Sequence, residues 1–204
     1  LILEPEMVDE EYVFFEGNRK AGKAWKEFEL KHRDSGKIIL SAAQKTKVEN
    51  WVESYKKRPE AVDLVKGANN EFSLFSEMAG VPLKVRADVI NIDKGYIADV
   101  KTTASDPDVD TFRFTVEQYG YDLSAALYVD LFSRRYEKEF DFYFIVLGKR
   151  TQTCEVYKAS DLTLGKGRKK MLTALKLYKT CMENGKWDDE KEIKPITDYE
   201  ILEV

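Results

Sequence analysis

The 204 residues carry 43% hydrophobic and 12% aromatic side chains, enough to close one substantial core, with 34% charged residues in near balance, 33 basic against 37 acidic. The net charge of −4 gives no overall basic field for nucleic acid, although one groove can concentrate positive charge while clustered carboxylates pull the total down. Cys154 and Cys181 lack any paired CxxC spacing, which excludes a disulfide framework or a cysteine-built zinc or iron–sulfur site; no apolar run reaches the roughly 18 residues of a membrane span, and the first residues show no signal-peptide pattern.

A soluble protein of the reducing cytoplasm, with no membrane partner, is expected. The first residue is Leu1 rather than Met, which reads as a start inside a longer natural chain. No internal repeat or low-complexity linker divides residues 1–204, so one domain is expected. His32 stands at the end of a short charged helix and reads as a solvated surface residue.

In chain order, Val48, Trp51, Val52 and Tyr55 recur at helical spacing behind Ser41, a candidate N-cap, and Ala61, Leu64 and Val65 suggest a short helix after Pro59. From about Phe72 the pattern changes. Leu83, Val85, Ala87 and Val89 alternate with Lys84, Arg86, Asp88 and Ile90, the period of a half-buried strand. Across the turn Asp93-Lys94-Gly95, the run Tyr96 to Thr103 completes an antiparallel hairpin. Tyr121, Ala125, Tyr128 and Phe132 then mark a helix, Phe140 to Leu147 and Thr153 to Tyr157 two strands, and Ser160 to Glu183 a closing helix with Met171, Leu175, Tyr178 and Met182 inward. This order predicts an α/β (α+β) fold, a mixed β-sheet flanked by helices.

Alternation on the hairpin decides which side chains share a face. Lys84, Arg86 and Asp88 form one set on the first strand; Ile97, Asp99, Lys101 and Thr103 form one on the second, with Asp99 and Lys101 roughly 6.6 Å apart along the strand. If the two charged faces coincide, two carboxylates and an ammonium converge. That set suits phosphodiester hydrolysis: hard divalent cations such as Mg²⁺ or Mn²⁺ take oxygen ligands, and a nearby lysine orients water or offsets developing charge. An isolated Asp-x-Lys is more often a solvated ion pair, but here it interrupts an otherwise apolar strand, Ile97-Ala98-Asp99-Val100-Lys101-Thr102-Thr103, where unpaired charge is costly.

Three stretches together, Lys84-Val85-Arg86-Ala87-Asp88, Ile97 to Thr103, and Tyr119-Gly120-Tyr121-Asp122-Leu123-Ser124-Ala125-Ala126-Leu127-Tyr128, resemble the RecE-like (exodeoxyribonuclease VIII type) phage exonucleases of the PD-(D/E)XK superfamily. The likeness runs from Leu1 to about Phe132, with Leu3-Glu4-Pro5 matching a leucine-Glu-Pro stretch; beyond Phe132 it holds in layout only. The resemblance implies a restriction-endonuclease-like core with Asp88 and Asp99 as metal ligands, the Val100 backbone carbonyl as a third, Lys101 as the motif lysine and Glu71 as an acidic residue at or beside the metal. It further implies Mg²⁺ or Mn²⁺ as cofactor, degradation of linear double-stranded DNA from an end, a cyclic homo-oligomer, a role in recombination and a single-strand annealing protein as partner. It also places a helix with Gly and His just upstream of the leucine-Glu-Pro stretch, which here would precede Leu1.

The DNA-binding set read from these stretches is Lys84, Arg86, Thr102, Thr103, Gln118, Ser124 and Tyr128. One departure stands out: relatives carry Gln where this chain has Ser124, one helical turn before Tyr128. Gln118 is a candidate substitute or a plain surface residue, and Tyr128 reads first as a core aromatic and second as a DNA contact. The basic runs Arg134-Arg135 and Lys166 to Lys170 are further candidates for phosphate contact. Two other functions fit the same residues: a structure-specific or restriction-type endonuclease, and a non-catalytic nucleic-acid-binding module.

Overall fold

The computed structural model describes residues 2–187, so Leu1 lies outside the described part. After a single 3-10 turn at Pro5–Met7 and a one-turn helix α1 (Val8–Glu11), strand β1 (Tyr12–Phe15) pairs in parallel with β2 (Ile38–Ser41), and α2 (Gly22–His32) links the two. This small sheet has no counterpart in the periodicity, because four-residue runs are too short to display a period. His32, expected in solvent, is half-buried with its ring against Phe28.

Ser41 ends β2 and caps α3 (Ala42–Lys56) with a full capping box: its hydroxyl accepts from the Gln44 N–H, and the Gln44 side chain accepts from the Ser41 N–H. Helix α4 (Pro59–Val65) starts on a proline whose missing N–H would have had no helical partner.

The main sheet has five strands in the order β3 (Asn69–Met78), β4 (Val81–Asn91), β5 (Tyr96–Thr103), β6 (Asp141–Gly148) and β7 (Cys154–Lys158). Every neighbouring pair is antiparallel except β5 and β6. That one parallel step needs a crossover, which α5 (Val109–Tyr119) and α6 (Tyr121–Tyr136) supply. Helix α7 (Asp161–Asn184), capped by the Ser160 hydroxyl, closes the described chain. The fold is thus a mixed sheet between helices, as the element order implied.

The two sheet faces bury different sets. Val85, Ala87, Ile90, Ile97, Phe142, Phe144 and Val146 pack with residues of α5, α6 and α7 such as Phe112, Val129, Phe132, Leu164 and Met171. Val89, Ala98, Ile145 and Leu147 pack with Tyr55, Ala61 and the half-buried Trp51 and Val62 of α3 and α4. On α7, Met171 and Leu175 are buried, but Tyr178 and Met182, expected inward, are exposed. The cause is length: α7 has 24 residues against 16 in α6, so its last turns outrun the surface they would cover.

The α6–α7 contact is close. Asp122, 2% exposed, is held by the Lys170 ammonium at 2.7 Å, and Arg168 pairs with Asp130 at 2.8 Å. Gly167 lies against the Asp122 carbonyl, where an added Cβ would collide with backbone, whereas Gly165 on the same helix faces open space. The two glycines should therefore respond oppositely to alanine. Gly165→Ala gains up to about 1 kcal/mol of helix propensity. Gly167→Ala loses about 1–3 kcal/mol net to overpacking, even after that gain. Urea denaturation of the two variants, followed by circular dichroism, measures both, and equal effects would contradict the close approach.

Candidate metal and catalytic site

Strands β4 and β5 form a fork. Their pairing runs only through Asn91–Tyr96, Ile90–Ile97 and Val89–Ala98, while β4 continues beside β3 and β5 beside β6 for all eight of its residues. At the opening the Asp88 carboxylate replaces the missing ladder, its Oδ2 accepting from the Val100 N–H at 2.8 Å. A strand residue sends its N–H and C=O from the same edge, so the Val100 carbonyl also faces the fork.

Opposite Asp88 stands Asp99, 8% exposed and ion-paired to the Lys101 ammonium. Burial pushes the Asp99 carboxyl up to about 6; the Lys101 charge opposes the rise, and the neighbouring Asp88, by charge and by hydrogen bond, adds to it. Lys101 is moved upward, because the attraction of Asp99, of Asp88 and of the Tyr121 hydroxyl outweighs its own burial. Its ammonium lies 4.8 Å from the centre of the Tyr121 ring. Asp88, Asp99 and Lys101, which sequence alternation could only bring together conditionally, are neighbours in space.

The pleat is not regular where they meet. Ala87 and Ile90, three residues apart, both belong to the α5–α7 core, while Val89 belongs to the other. Alternation lapses at Asp88, opposite Glu71, whose φ of +53° is a conformation side-chain-bearing residues seldom adopt. This separates residues that the sequence pattern put on one face. Asp88 meets Asp99, but Arg86 turns to Glu71, at 2.6 Å.

Glu71 lines a cavity of about 440 Å³ shared with Glu4, Glu11, Trp51 and Val100. Burial raises its carboxyl, opposed by Arg86 and reinforced by Asp88 and Glu4. Asp88 is thus within electrostatic reach of Glu71, yet Glu71 spends its charge on Arg86. Among the described residues, no group of three or more His, Cys, Asp or Glu side chains has metal-holding geometry. The protein donors at the fork are two carboxylates and one carbonyl. They fit a hard divalent cation: all are oxygens, and two carboxyl groups in contact carry more negative charge than Lys101 offsets.

The remaining sequence candidates are dispersed. The Tyr128 hydroxyl donates to the Arg86 carbonyl at 3.0 Å, and its ring packs edge-on against Phe142, so it belongs to the core while bordering Asp88, Asp99 and Lys101; burial raises its hydroxyl. Ser124, one turn earlier, is exposed, as are Gln118 and Thr102. Thr103 is buried, its hydroxyl accepting from the Ser105 N–H. Lys84 is exposed, its ammonium 5.4 Å from the Phe75 ring centre. Of the basic run on α7, Lys166, Arg168 and Lys170 pair with Glu117, Asp130 and Asp122. Tyr121 was missed as a site residue: its helical spacing marked it as core, and nothing in the sequence signals that α6 begins beside Lys101.

The sequence profile of a family described as "PDDEXK-like domain of unknown function (DUF3799)" matches residues 1–194. No curated protein matches the chain. A crystal structure of a protein described as a candidate exonuclease, from Eubacterium rectale, superposes with a TM-score of 0.62 at 17% identity, covering 81% of this chain; the chain spans 64% of that protein's length. The crystal structure of a protein named SSO0001 aligns at 17% identity over 63% of this chain and 67% of its own, with a TM-score of 0.34 that carries no weight for the fold.

The raised Asp99 carboxyl has a measurable consequence. In the metal-free protein it should titrate near pH 6 rather than near its ordinary 3.8, read as its side-chain ¹³C carboxyl shift. Between those two values the folded protein binds a proton the unfolded chain has released, so metal-free stability falls as pH rises through that window. Saturating Mg²⁺ should move the midpoint downward; a midpoint unmoved by the cation would show that it does not reach Asp99.

Proposed function

Because the chain belongs to the PDDEXK-like family DUF3799, we propose that it is a metal-dependent deoxyribonuclease of the PD-(D/E)XK superfamily, of the RecE-like type, which degrades linear double-stranded DNA from an end. The observation that carries the reading is the convergence of Asp88, Asp99 and Lys101 at the β4–β5 fork, on a fold shared with a candidate exonuclease.

In this reading the Asp88 and Asp99 carboxylates and the Val100 carbonyl hold Mg²⁺ or Mn²⁺. The cation, when bound, lowers the pKa of a water and offsets charge on the scissile phosphate. The chain's own residues do the rest. The Val100 N–H fixes the Asp88 carboxylate, so the ligand pair is positioned before substrate arrives. Lys101, held between Asp99 and the Tyr121 ring, supplies a fixed positive charge that orients the attacking water and stabilises charge building on the phosphate. Lys84, exposed on β4, contacts a backbone phosphate; Arg86, exposed beside it but paired with Glu71 at 2.6 Å, is the second candidate for such a contact. The same proposal extends to a cyclic homo-oligomer around duplex DNA, and to a single-strand annealing protein that takes up the product in recombination.

The test is incubation of the purified protein with end-labelled linear duplex and Mg²⁺, with and without chelator, beside a closed circular duplex. Chelator-sensitive loss of the linear substrate alone is expected. Cleavage of the circle would instead identify an endonuclease. Asp88→Ala and Lys101→Ala should each lower kcat on the order of 100-fold or more, with circular dichroism unchanged. Turnover preserved in either variant would remove that residue from the site.

Binding should also weaken steeply with salt, the slope of log K against log salt growing by about 0.9 per phosphate neutralised. Filter binding across a salt series measures it. Lys84→Ala should reduce the slope by about one contact, and a flat salt response would argue against a DNA substrate.

A further inference from the structure

The junction of α5 and α6 links two aromatic rings to Lys101, one touching its ammonium and the other stacked on the first. Gly120, at φ +67° and ψ +28°, both ends α5 and starts α6, a left-handed conformation that glycine adopts without a Cβ penalty. The reversal lays Tyr119 against Tyr121, ring centres 5.9 Å apart and planes within 25°, an offset stack. Tyr121 is backed by Phe112 and Phe144, each 6.5 Å away, and carries the Lys101 ammonium over its ring. The inner ring is thus fixed. The outer one is 65% exposed, and among the described residues it is the only exposed aromatic that stacks on a ring touching Lys101. Phe75 and Phe114, exposed to a similar degree, have no such connection.

We propose that Tyr119 is a stacking platform for an unpaired nucleobase beside the scissile phosphate. The proposal rests on the nuclease reading above and deepens it by naming the form of the substrate. A large aromatic face left in water next to charged chemistry is suited to a flat π-system whose phosphate must reach Lys101. Every base offers such a face, so the platform is indifferent to sequence. Inside a duplex both faces of a base are covered by its neighbours. A base has a face to give only where stacking is interrupted, at a duplex end or in a single-stranded stretch, and only an unpaired base is free to turn that face onto a ring beside the reacting strand; Tyr119 therefore favours DNA whose reacting strand is unpaired at the site. Because the ring binds a part of the substrate that does not react, its contribution is equal in the ground and transition states and appears in KM.

The experiment uses the full chain and oligonucleotides carrying 2-aminopurine at or near the labelled end, whose fluorescence is quenched on stacking. With chelator present, the native protein should quench the probe, and Tyr119→Phe and Tyr119→Trp should retain the quenching. Tyr119→Ala should lose it and weaken binding roughly 5- to 100-fold, the range of one base–aromatic stack. With Mg²⁺, Tyr119→Ala should raise KM by a similar factor and leave kcat within about twofold, whereas Phe114→Ala, on the same helix, changes neither. Quenching and KM in Tyr119→Ala equal to those of the native protein would overturn the platform while leaving the nuclease reading in place. Tyr119-dependent quenching without any metal-dependent cleavage by the native protein would do the reverse.

Discussion

The hydrogen bond from the Val100 N–H to the Asp88 carboxylate is the constraint on which the site depends. Two strands that remained paired would use that N–H for the ladder, and the carboxylate would point elsewhere. Here β5 commits all its residues to β6, β4 commits itself to β3, and the gap between them has to be satisfied by a side chain. An unpaired backbone donor in this half-buried place would cost up to about 1–3 kcal/mol. Asp88 meets that requirement with one carboxylate oxygen, and its carboxyl also meets Asp99.

Burying Asp99 beside Asp88 is unfavourable in isolation, and the Lys101 pair only partly offsets it, as the upward displacement of the Asp99 carboxyl records. Strain of this kind is common where groups are held for reaction rather than for packing. The surrounding fold can bear it because the strand carrying Asp99 is central, with apolar layers on both faces and helices beyond each. The Tyr121 ring against Lys101 belongs to the same arrangement, since α6 starts at the level of the charged pair and brings an aromatic face to a cation that would otherwise have solvent on that side.

Much of this could be read from the residues. The Ser41 cap, the hairpin across Asp93-Lys94-Gly95, and the strands and helices from Tyr121 onward follow from short-range rules of capping, alternation and helical spacing, and they have the positions expected. Less visible were β3, whose length is set by pairing with β4, and α5, whose buried residues Phe112, Thr115 and Val116 include a polar one while the apolar Val109, Phe114 and Tyr119 face outward, which blurs the helical spacing. The membership of Asp88, Asp99 and Lys101 in one cluster was suggested by strand parity, but parity assigned Arg86 to the same face. A single lapse of alternation opposite Glu71 reversed that assignment, and nothing local in the sequence marks it, because Glu71 is not a residue type that favours positive φ. The burial of Thr103 is likewise not legible in the strand pattern, since it depends on the loop to which its hydroxyl is bonded.

The fork has a mechanical meaning as well as a chemical one. Asp88 and Asp99 stand on its two banks, at the point where hydrogen bonding between β4 and β5 stops. A cation shared between them would act as a clasp, tying the β3–β4 ribbon to the half of the sheet built from β5, β6 and β7. Its binding energy would then be counted in the cohesion of the whole sheet, with each tenfold excess of cation over its dissociation constant adding about 1.4 kcal/mol against unfolding. The seam that gives the site its room is therefore also the line along which the sheet is weakest when the site is empty of charge to balance it.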